Sequence, residues 1–402
     1  MKQIISSIFI MLMLNCKKEK PAPQTSNEIG TLPLKKLEKI NLPTEVIQVD
    51  VKFVGNPVIT NKSIVFRYEL NILNNFKVPF TLKSLEIYNL EKTDTPISKL
   101  DSTYINRNFD RPGGTTLDDI KFLEGNDFGV LNIELIFPEQ SMIPQKIFHK
   151  LYFERQKSSG EFASHPMEVA IVEIPELTTL SLGLPFKQKG QWLYETDSHQ
   201  GARQITEGQV TYPQRFAVDW MLINTDGSFA KGNIKANADW KTYGVEIIAV
   251  ADGEVVNLKD DIKENEPLSE KMAVRMNKET IGGNYVVLDI GNNTYASYGH
   301  LMPNSLKVKI GDRVKKGQVL ALLGNSGNSD CPHLHFQLET KSSSFFGGEG
   351  VAYTLPKFAE LKSYSEEEIT GFFKSNMIPS IPAKKKVKTN VFPIGYGLVE
   401  IK

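Results

Sequence analysis

Short runs in which apolar and polar residues alternate, each closed by turn formers, constrain this chain more than any other feature. Ile47-Gln48-Val49-Asp50-Val51-Lys52-Phe53 is one such run, and Ile64-Val65-Phe66-Arg67-Tyr68-Glu69-Leu70-Asn71-Ile72 is another. A period of two puts one class of side chain on each face of a β-strand, so each run encodes a strand with one buried face. Further β-like runs extend from Phe80 to Tyr88, Gly129 to Phe137, Ile147 to Glu154 and Met167 to Ile174, with Asn74-Asn75 and Pro112-Gly113-Gly114 among the breakers. No long helical period intervenes. Residues 45–178 are therefore expected to form an antiparallel β-sandwich of immunoglobulin-like type. His149 and His165 lie in this stretch without ligand spacing around them and are expected to be structural. The unit reads as a binding or spacing module with no chemistry of its own.

Near Leu184 the chain changes character and glycine becomes denser. Ile247 to Val256 reads as strand, turn and strand, and Tyr285 to Ile290 as a buried strand. Asn292-Asn293 is a turn that lets Thr294 to Leu301 pair back as a hairpin. Residues 184–402 are thus a second all-β, antiparallel domain with a short helical extension near the C-terminus. That helix is expected over Ser365 to Ser375, with Ser365 as N-cap, Glu368 completing a capping box and Glu366 and Glu367 favoured by the helix dipole. Residues 260–272 are charged and helix-compatible, which predicts a surface insertion.

The N-terminus reads as an address. Lys2 precedes an apolar run from Ile4 to Leu14, too short to span a bilayer, followed by Asn15-Cys16. This resembles a bacterial lipoprotein signal, which implies cleavage before Cys16 and lipidation of Cys16. It departs from the usual pattern at Asn15, where Gly, Ala or Ser is customary. An ordinary secretory signal is the alternative. Residues 1–16 are accordingly taken as signal peptide, and residues 17–44, rich in Lys, Glu, Pro and Ser, as a flexible tether. Only two cysteines are present, so with Cys16 lipidated Cys331 has no partner and a disulfide framework is excluded. The 47 basic and 47 acidic residues balance, which gives no support for nucleic acid as a partner. Lys384-Lys385-Lys386-Val387-Lys388 is a basic run best read as a solvated loop.

Chemistry concentrates in the second half. Two of the six histidines stand as His333-Leu334-His335 in an apolar, strand-like run. Residues i and i+2 of a strand share a face, so both imidazoles would reach one small site. Tyr298-Gly299-His300-Leu301 supplies a third histidine, and His199 and Asp219 lie upstream. Two imidazoles and a carboxylate with open positions form a familiar catalytic zinc arrangement, which further histidines could assist. Other readings stand beside this one. Asp219 could pair with Arg215 four residues earlier, His199 could be an ordinary loop histidine, and Cys331 could be a turn residue or a fourth ligand.

These motifs, with Gly311-Asp312-Arg313-Val314-Lys315-Lys316-Gly317 and Gly324-Asn325-Ser326-Gly327 between them, resemble the M23 (LytM or lysostaphin-like) zinc endopeptidases of bacterial cell walls. The likeness covers roughly the last 200 residues. It implies that His335 binds zinc and that His333 and His300 are catalytic. The family's first motif, His-x-x-x-Asp, is met here by Arg215 to Asp219, and a guanidinium cannot donate a lone pair to zinc. A subgroup with a similar Gln-Arg-Phe-Ala-x-Asp segment takes its histidine from an upstream loop, which implies His199. The expected metal set is therefore His199, Asp219 and His335. The Gly324–Gly327 loop is expected to border a groove for extended peptide, with Asn325 and Ser326 meeting substrate.

The resemblance implies hydrolysis of peptidoglycan peptides by a membrane-anchored envelope lipoprotein, with another envelope protein as a candidate partner of the N-terminal sandwich. A LytM-like domain that has lost its metal and only binds or activates another wall hydrolase is the alternative, argued by Arg215. A lipoyl- or biotinyl-like carrier lacks its displayed lysine.

Overall fold

The computed structural model describes residues 47–111, 122–156, 159–178, 180–199, 201–206, 209–342, 345–381 and 384–402. The expected signal peptide, Cys16 and tether lie outside the described residues. No described helix is long and apolar enough to cross a membrane.

The architecture is antiparallel β. Two sheets build the N-terminal region. The first runs in the order Ile47–Val54, Ile64–Asn74, Phe128–Phe137, Phe109–Asp110, with Val58–Ile59 also paired to Ile64–Asn74. The second runs Phe162–Glu173, Lys146–Gln156, Phe80–Asn89, Ser98–Leu100, with Phe122–Leu123 joined to Phe80–Asn89. Phe66, Tyr68, Leu70 and Ile72 of the first sheet and Leu82, Leu85, Ile87, Leu151 and Phe153 of the second bury one shared core. His149 is buried between Tyr68 Oη at 2.6 Å and the Ala170 carbonyl at 2.7 Å, a structural role. His165 pairs through its backbone opposite Phe153, and its side chain lies outside the description. A short helix, Ser102–Asn108, interrupts the strands. The Asp101 carboxylate nucleates it by accepting the Thr103 and Tyr104 amides.

The strand Ile64–Asn74 is unusual in that both its faces are covered. Its alternate residues Val65, Arg67 and Glu69 are buried, although period-two reasoning assigns Arg67 and Glu69 to solvent. Val65 and Val58 belong to the core of the C-terminal region, so this strand sits at the junction of two cores.

That C-terminal region is organised around a ten-stranded sheet. Its order is Arg313–Val314, Gly253–Lys259, Asn284–Asp289, Tyr295–Leu301, Leu334–Glu339, Val218–Ile223, Gly190–Glu195, Tyr396–Ile401, Leu355–Tyr364, Lys386–Val391. Trp192, Tyr194, Trp220, Tyr298, Phe336 and Tyr353 fill the core on one side. The Asn292-Asn293 turn forms with φ of 53° and 52°, the left-handed geometry a two-residue hairpin turn demands. The helix Glu366–Ser375 carries the expected capping box, and Ile369 and Phe372 bury it against Leu193, Met221 and Leu398.

Two expectations are corrected. Residues 260–272 form no helix: Pro267 interrupts any helical run, and the segment is held in irregular form by Asn265. Asn265 is buried and donates to the carbonyls of Gly327 and Ser329 while accepting the Ala273 amide, so the segment braces the 325–330 loop. The basic run is solvated as expected but is a loop only at Lys384 and Lys385. Lys386–Val391 is the edge strand of the large sheet, where lysines discourage further strand pairing. Lys385 pairs with Glu400 and Lys388 with Glu360.

Candidate metal centre

Sheet register brings the site together. Glu195 stands opposite Asp219, Asp219 opposite His335, and His335 opposite Gly299. Residues on one rung of an antiparallel sheet face the same way. The rung therefore gathers Glu195, Asp219 and His335, and His333 joins them two residues before His335. His199 arrives from outside the sheet, on the single turn Asp197–His199 that follows the strand Gly190–Glu195.

Alternation alone would send His300, the neighbour of Gly299, to the opposite face. His300 has φ of 60°, a left-handed conformation costly for a β-carbon and frequent at functional sites. The twist brings its ring to 4.8 Å from that of His333 and 5.7 Å from that of His335, centroid to centroid. Gly299 has no side chain because the Phe345 ring occupies the position a β-carbon would take.

His199 Nε2 is 3.0 Å from Asp219 Oδ2, and His335 Nδ1 is 3.0 Å from Asp219 Oδ1. The donor atoms of His199, Asp219 and His335 all lie within 4.8 Å of one another. His335 Nε2 is committed to Gln337 Oε1 at 2.9 Å, which as a donor leaves the Nδ1 lone pair facing Asp219. His199 Nε2 is buried with no aligned hydrogen-bond partner. Two neutral-capable imidazoles, one carboxylate, an orphaned nitrogen and an amide that fixes one imidazole from behind suit a zinc ion.

The other two histidines each have Nδ1 fixed by a backbone carbonyl. His333 Nδ1 lies 2.8 Å from the Cys331 carbonyl, and His300 Nδ1 lies 2.8 Å from the Ser326 carbonyl. A carbonyl only accepts, so each Nδ1 carries the proton. His333 Nε2 is 3.3 Å from Asp219 Oδ2. Cys331 is a buried free thiol that contributes its backbone to this arrangement.

Charge balance follows from the packing. Burial opposes ionisation of Asp219, yet His199 and His333 beside it hold its carboxyl well below the usual range. Burial likewise opposes protonation of His199, but Asp219 and Glu195 outweigh it and push the imidazole up to about 9. His333 is raised well above its ordinary value by Asp219 against the pull of burial. Burial, with His333 and His335 as neighbours, keeps His300 well below its ordinary value. A cation entering this site must displace a proton from His199 below about pH 9. Zinc affinity is therefore expected to rise about tenfold or more per pH unit between about pH 6 and about pH 8. Titrating the metal against a chromogenic chelator at several pH values checks this; a flat profile would contradict it.

Arg215 does not pair with Asp219. Its guanidinium turns away into an ion pair with Glu69, with Glu349 at 3.4 Å. Asn325 and Ser326 depart from their expected role as well. Both side chains are wholly buried: Ser326 Oγ donates to the Leu301 carbonyl, and the Asn325 amide donates to Asn237 Oδ1 and the Asn265 carbonyl. They shape the loop from inside, and the Ser326 carbonyl orients His300. Gly324 and Gly327 serve the same packing, since β-carbons there would strike Met302 and Gly283.

Sequence reasoning missed Glu195, Gln337 and the two phenylalanines. Glu195 Oε2 lies 3.4 Å from His199 Nε2, at a spacing of four residues that could have signalled it. Gln337 is two residues beyond His335 and so on its face. The Phe345 and Phe346 rings stand 5.8 and 5.5 Å from that of His335 and wall the site with apolar surface, which nothing in the local pattern announces.

Fold and site together define an antiparallel β domain with a His–Asp–His cluster on one sheet face. Residues 236–346 match the model of Peptidase family M23, so the chain carries a peptidase M23 domain. The matched segment includes His300, His333 and His335, while His199 and Asp219 precede it. The chain is 40% identical over 65 residues to an endolysin of Staphylococcus phage 2638A, covering 15% of this chain and 13% of that one. It is 45% identical over 56 residues to the peptidoglycan DD-endopeptidase ShyA of Vibrio cholerae, covering 14% and 13%. Over 64 residues it is 44% identical to the glycyl-glycine endopeptidase ALE-1 of Staphylococcus capitis, covering 16% and 17%. Each match thus spans less than a fifth of the relative's length. Among solved structures, the lysostaphin catalytic domain of Staphylococcus simulans is similar at 26% identity and a TM-score of 0.20, covering 35% of this chain and 74% of that one.

Proposed function

We propose that this protein is a zinc-dependent endopeptidase that hydrolyses peptide bonds of bacterial cell-wall peptidoglycan. One observation carries the reading: His199, Asp219 and His335 converge within 4.8 Å, and His300 and His333 are stationed beside them with the Nδ1 of each held by a backbone carbonyl. The M23 match and relatives named as peptidoglycan and glycyl-glycine endopeptidases support the substrate class.

His199, Asp219 and His335 would hold the ion, with Gln337 keeping His335 in the tautomer that offers Nδ1. A zinc ion bound there supplies Lewis acidity toward a carbonyl oxygen and lowers the pKa of a water. His333 and His300 would hold or move a proton at Nε2, taking it from the attacking water and returning it to the leaving amine, or bonding the developing oxyanion. Phe345 and Phe346 keep bulk water from His335, which strengthens every charge interaction inside. Such a substrate would put the protein at the cell envelope, and lipidation at Cys16 would anchor it to a membrane there.

The alternative, a docking domain without catalysis, drew its force from Arg215. That argument weakens because Arg215 faces away from Asp219 while His199 stands 3.0 Å from it. Digestion of purified peptidoglycan by the zinc-loaded chain is expected to release new peptide amino termini without new glycan reducing ends. Reducing ends alone, or no release, would contradict the reading.

A further inference from the structure

The segments that carry Asp219 and His199, both outside the M23 match, are gripped chiefly by one stretch of the N-terminal region, residues 60–69. The first grip is on the segment before Asp219. The turn from Tyr212 to Ala217 is closed by the Arg215 amide on the Tyr212 carbonyl and the Ala217 amide on the Gln214 carbonyl. Arg67 Nη1 donates to the Arg215 carbonyl at 2.6 Å, and Glu69 pairs with the Arg215 guanidinium. Tyr212 Oη donates to Asp110 Oδ2 at 2.6 Å, a third hold from the N-terminal region. The guanidinium is sandwiched by the Phe53 ring at 4.4 Å and the Tyr212 ring at 4.9 Å.

The second grip is on the segment before His199. Asn61 is buried and inserts into the large sheet: its amide donates to Tyr194 Oη at 2.9 Å and Glu360 Oε1 at 2.5 Å, and its Oδ1 accepts the Ile394 amide at 3.0 Å. Lys388 Nζ reaches the Asn61 carbonyl at 2.6 Å. Tyr194 adjoins Glu195, which in turn fixes the His199 turn by accepting the Ser198 amide at 2.7 Å and hydroxyl at 2.8 Å.

Glu69 and Arg215 are 0% and 2% exposed, so their pairing carries a desolvation cost that a merely tethered module would have no reason to bear. Buried ion pairs of this kind are poor sources of stability. Their best-attested use is to fix register. Glu69 also pairs with Lys52 at 3.2 Å and Arg215 with Glu349 at 3.4 Å, so the junction is a network of charges rather than a lone pair. Here the register being fixed is that of the strand bearing Asp219 and the turn bearing His199.

We infer that the N-terminal β unit belongs to the scaffold of the metal centre, with Glu69 and Asn61 as positioning residues for Asp219 and His199. The inference rests on the metal-site reading above for its consequence, while the coupling itself is independent of metal. Neither residue touches the site; each acts through Arg215 or Tyr194.

The test uses the full chain with Glu69→Gln, Asn61→Ala and, as a control in the far sheet, Leu151→Ala. Leu151 is fully buried in the N-terminal core and makes none of the polar contacts of either grip, so its truncation lowers stability while leaving the gripping side chains in place. Amide hydrogen exchange is followed in metal-free protein. Residues 215–221 should exchange at least about tenfold faster in Glu69→Gln, and residues 194–199 at least about tenfold faster in Asn61→Ala, each relative to Leu151→Ala. Zinc dissociation constants by chelator competition should rise at least about tenfold in the first two variants and stay at the parent value in the control. Unchanged exchange in both positioning variants, or equal acceleration in the control, would overturn the inference. If Glu69→Gln fails to fold, Asn61→Ala decides alone. The exchange pattern in the variants, beside a parent that binds no zinc, would sustain the coupling and sink the metal reading.

Discussion

Alanine at His335 is expected to abolish zinc retention and reduce peptide hydrolysis by roughly a thousandfold or more, since Lewis-acid stabilisation worth several kcal/mol is lost with the ion. His335 is the most buried of the three candidate ligands; its Nε2 donates to Gln337 Oε1 and its Nδ1 faces Asp219. No other described histidine is placed to substitute on that strand. Gln337→Leu provides a graded companion. It keeps the ligand but frees the His335 tautomer, and should weaken zinc affinity by about 10–100-fold. Elemental analysis and chelator competition on the same preparations check both. Full zinc occupancy in His335→Ala would contradict the assignment of this residue.

His333→Ala and His300→Ala are expected to behave oppositely: zinc is retained and turnover falls by about 100- to 10,000-fold, the range for removing a positioned acid, base or oxyanion donor. The reason is geometric. Each has its Nδ1 tied to a backbone carbonyl, Cys331 or Ser326, and neither belongs to the group of His199, Asp219 and His335 whose donor atoms lie within 4.8 Å of one another. Steady-state kinetics at saturating zinc should show the loss in kcat with KM little changed. Full turnover in either variant, or loss of zinc in both, would contradict this division of roles.

Much of the fold was legible because the code for antiparallel strands is local. The run read from Phe80 to Tyr88 is the strand Phe80–Asn89, and that from Gly129 to Phe137 is Phe128–Phe137. The Ser365 cap was legible for the same reason: hydroxyl, amide and carboxylate all lie within one turn. What was not legible depends on partners distant in sequence. Arg67 and Glu69 look like the solvent face of an alternating strand, and only the opposing turn at Arg215 shows why they are buried. Residues 260–272 have helical composition, yet Asn265 finds three backbone partners beyond any helix.

The candidate site divides along the same line. His333 and His335 share a face by simple alternation, and that much could be read directly. His300 reaches them only because its backbone turns left-handed, which the alternating pattern of a strand does not predict. His199 stands 136 residues before His335, as 335 less 199 gives, and only the sheet order, with Val218–Ile223 between Gly190–Glu195 and Leu334–Glu339, brings them together. Its nearness to Asp219 was an implication of family likeness and could not have come from spacing. Asn325 and Ser326 show the converse error, since polar residues in a glycine-rich loop invite a surface reading that complete burial overrides.

Zinc stoichiometry of the purified chain, beside His199→Ala, tests the central claim most directly. About one zinc per parent chain, lost or sharply weakened in His199→Ala, is the predicted result. Zinc held equally well by His199→Ala would contradict the ligand set, and no zinc in the parent after metal addition would contradict the peptidase reading itself.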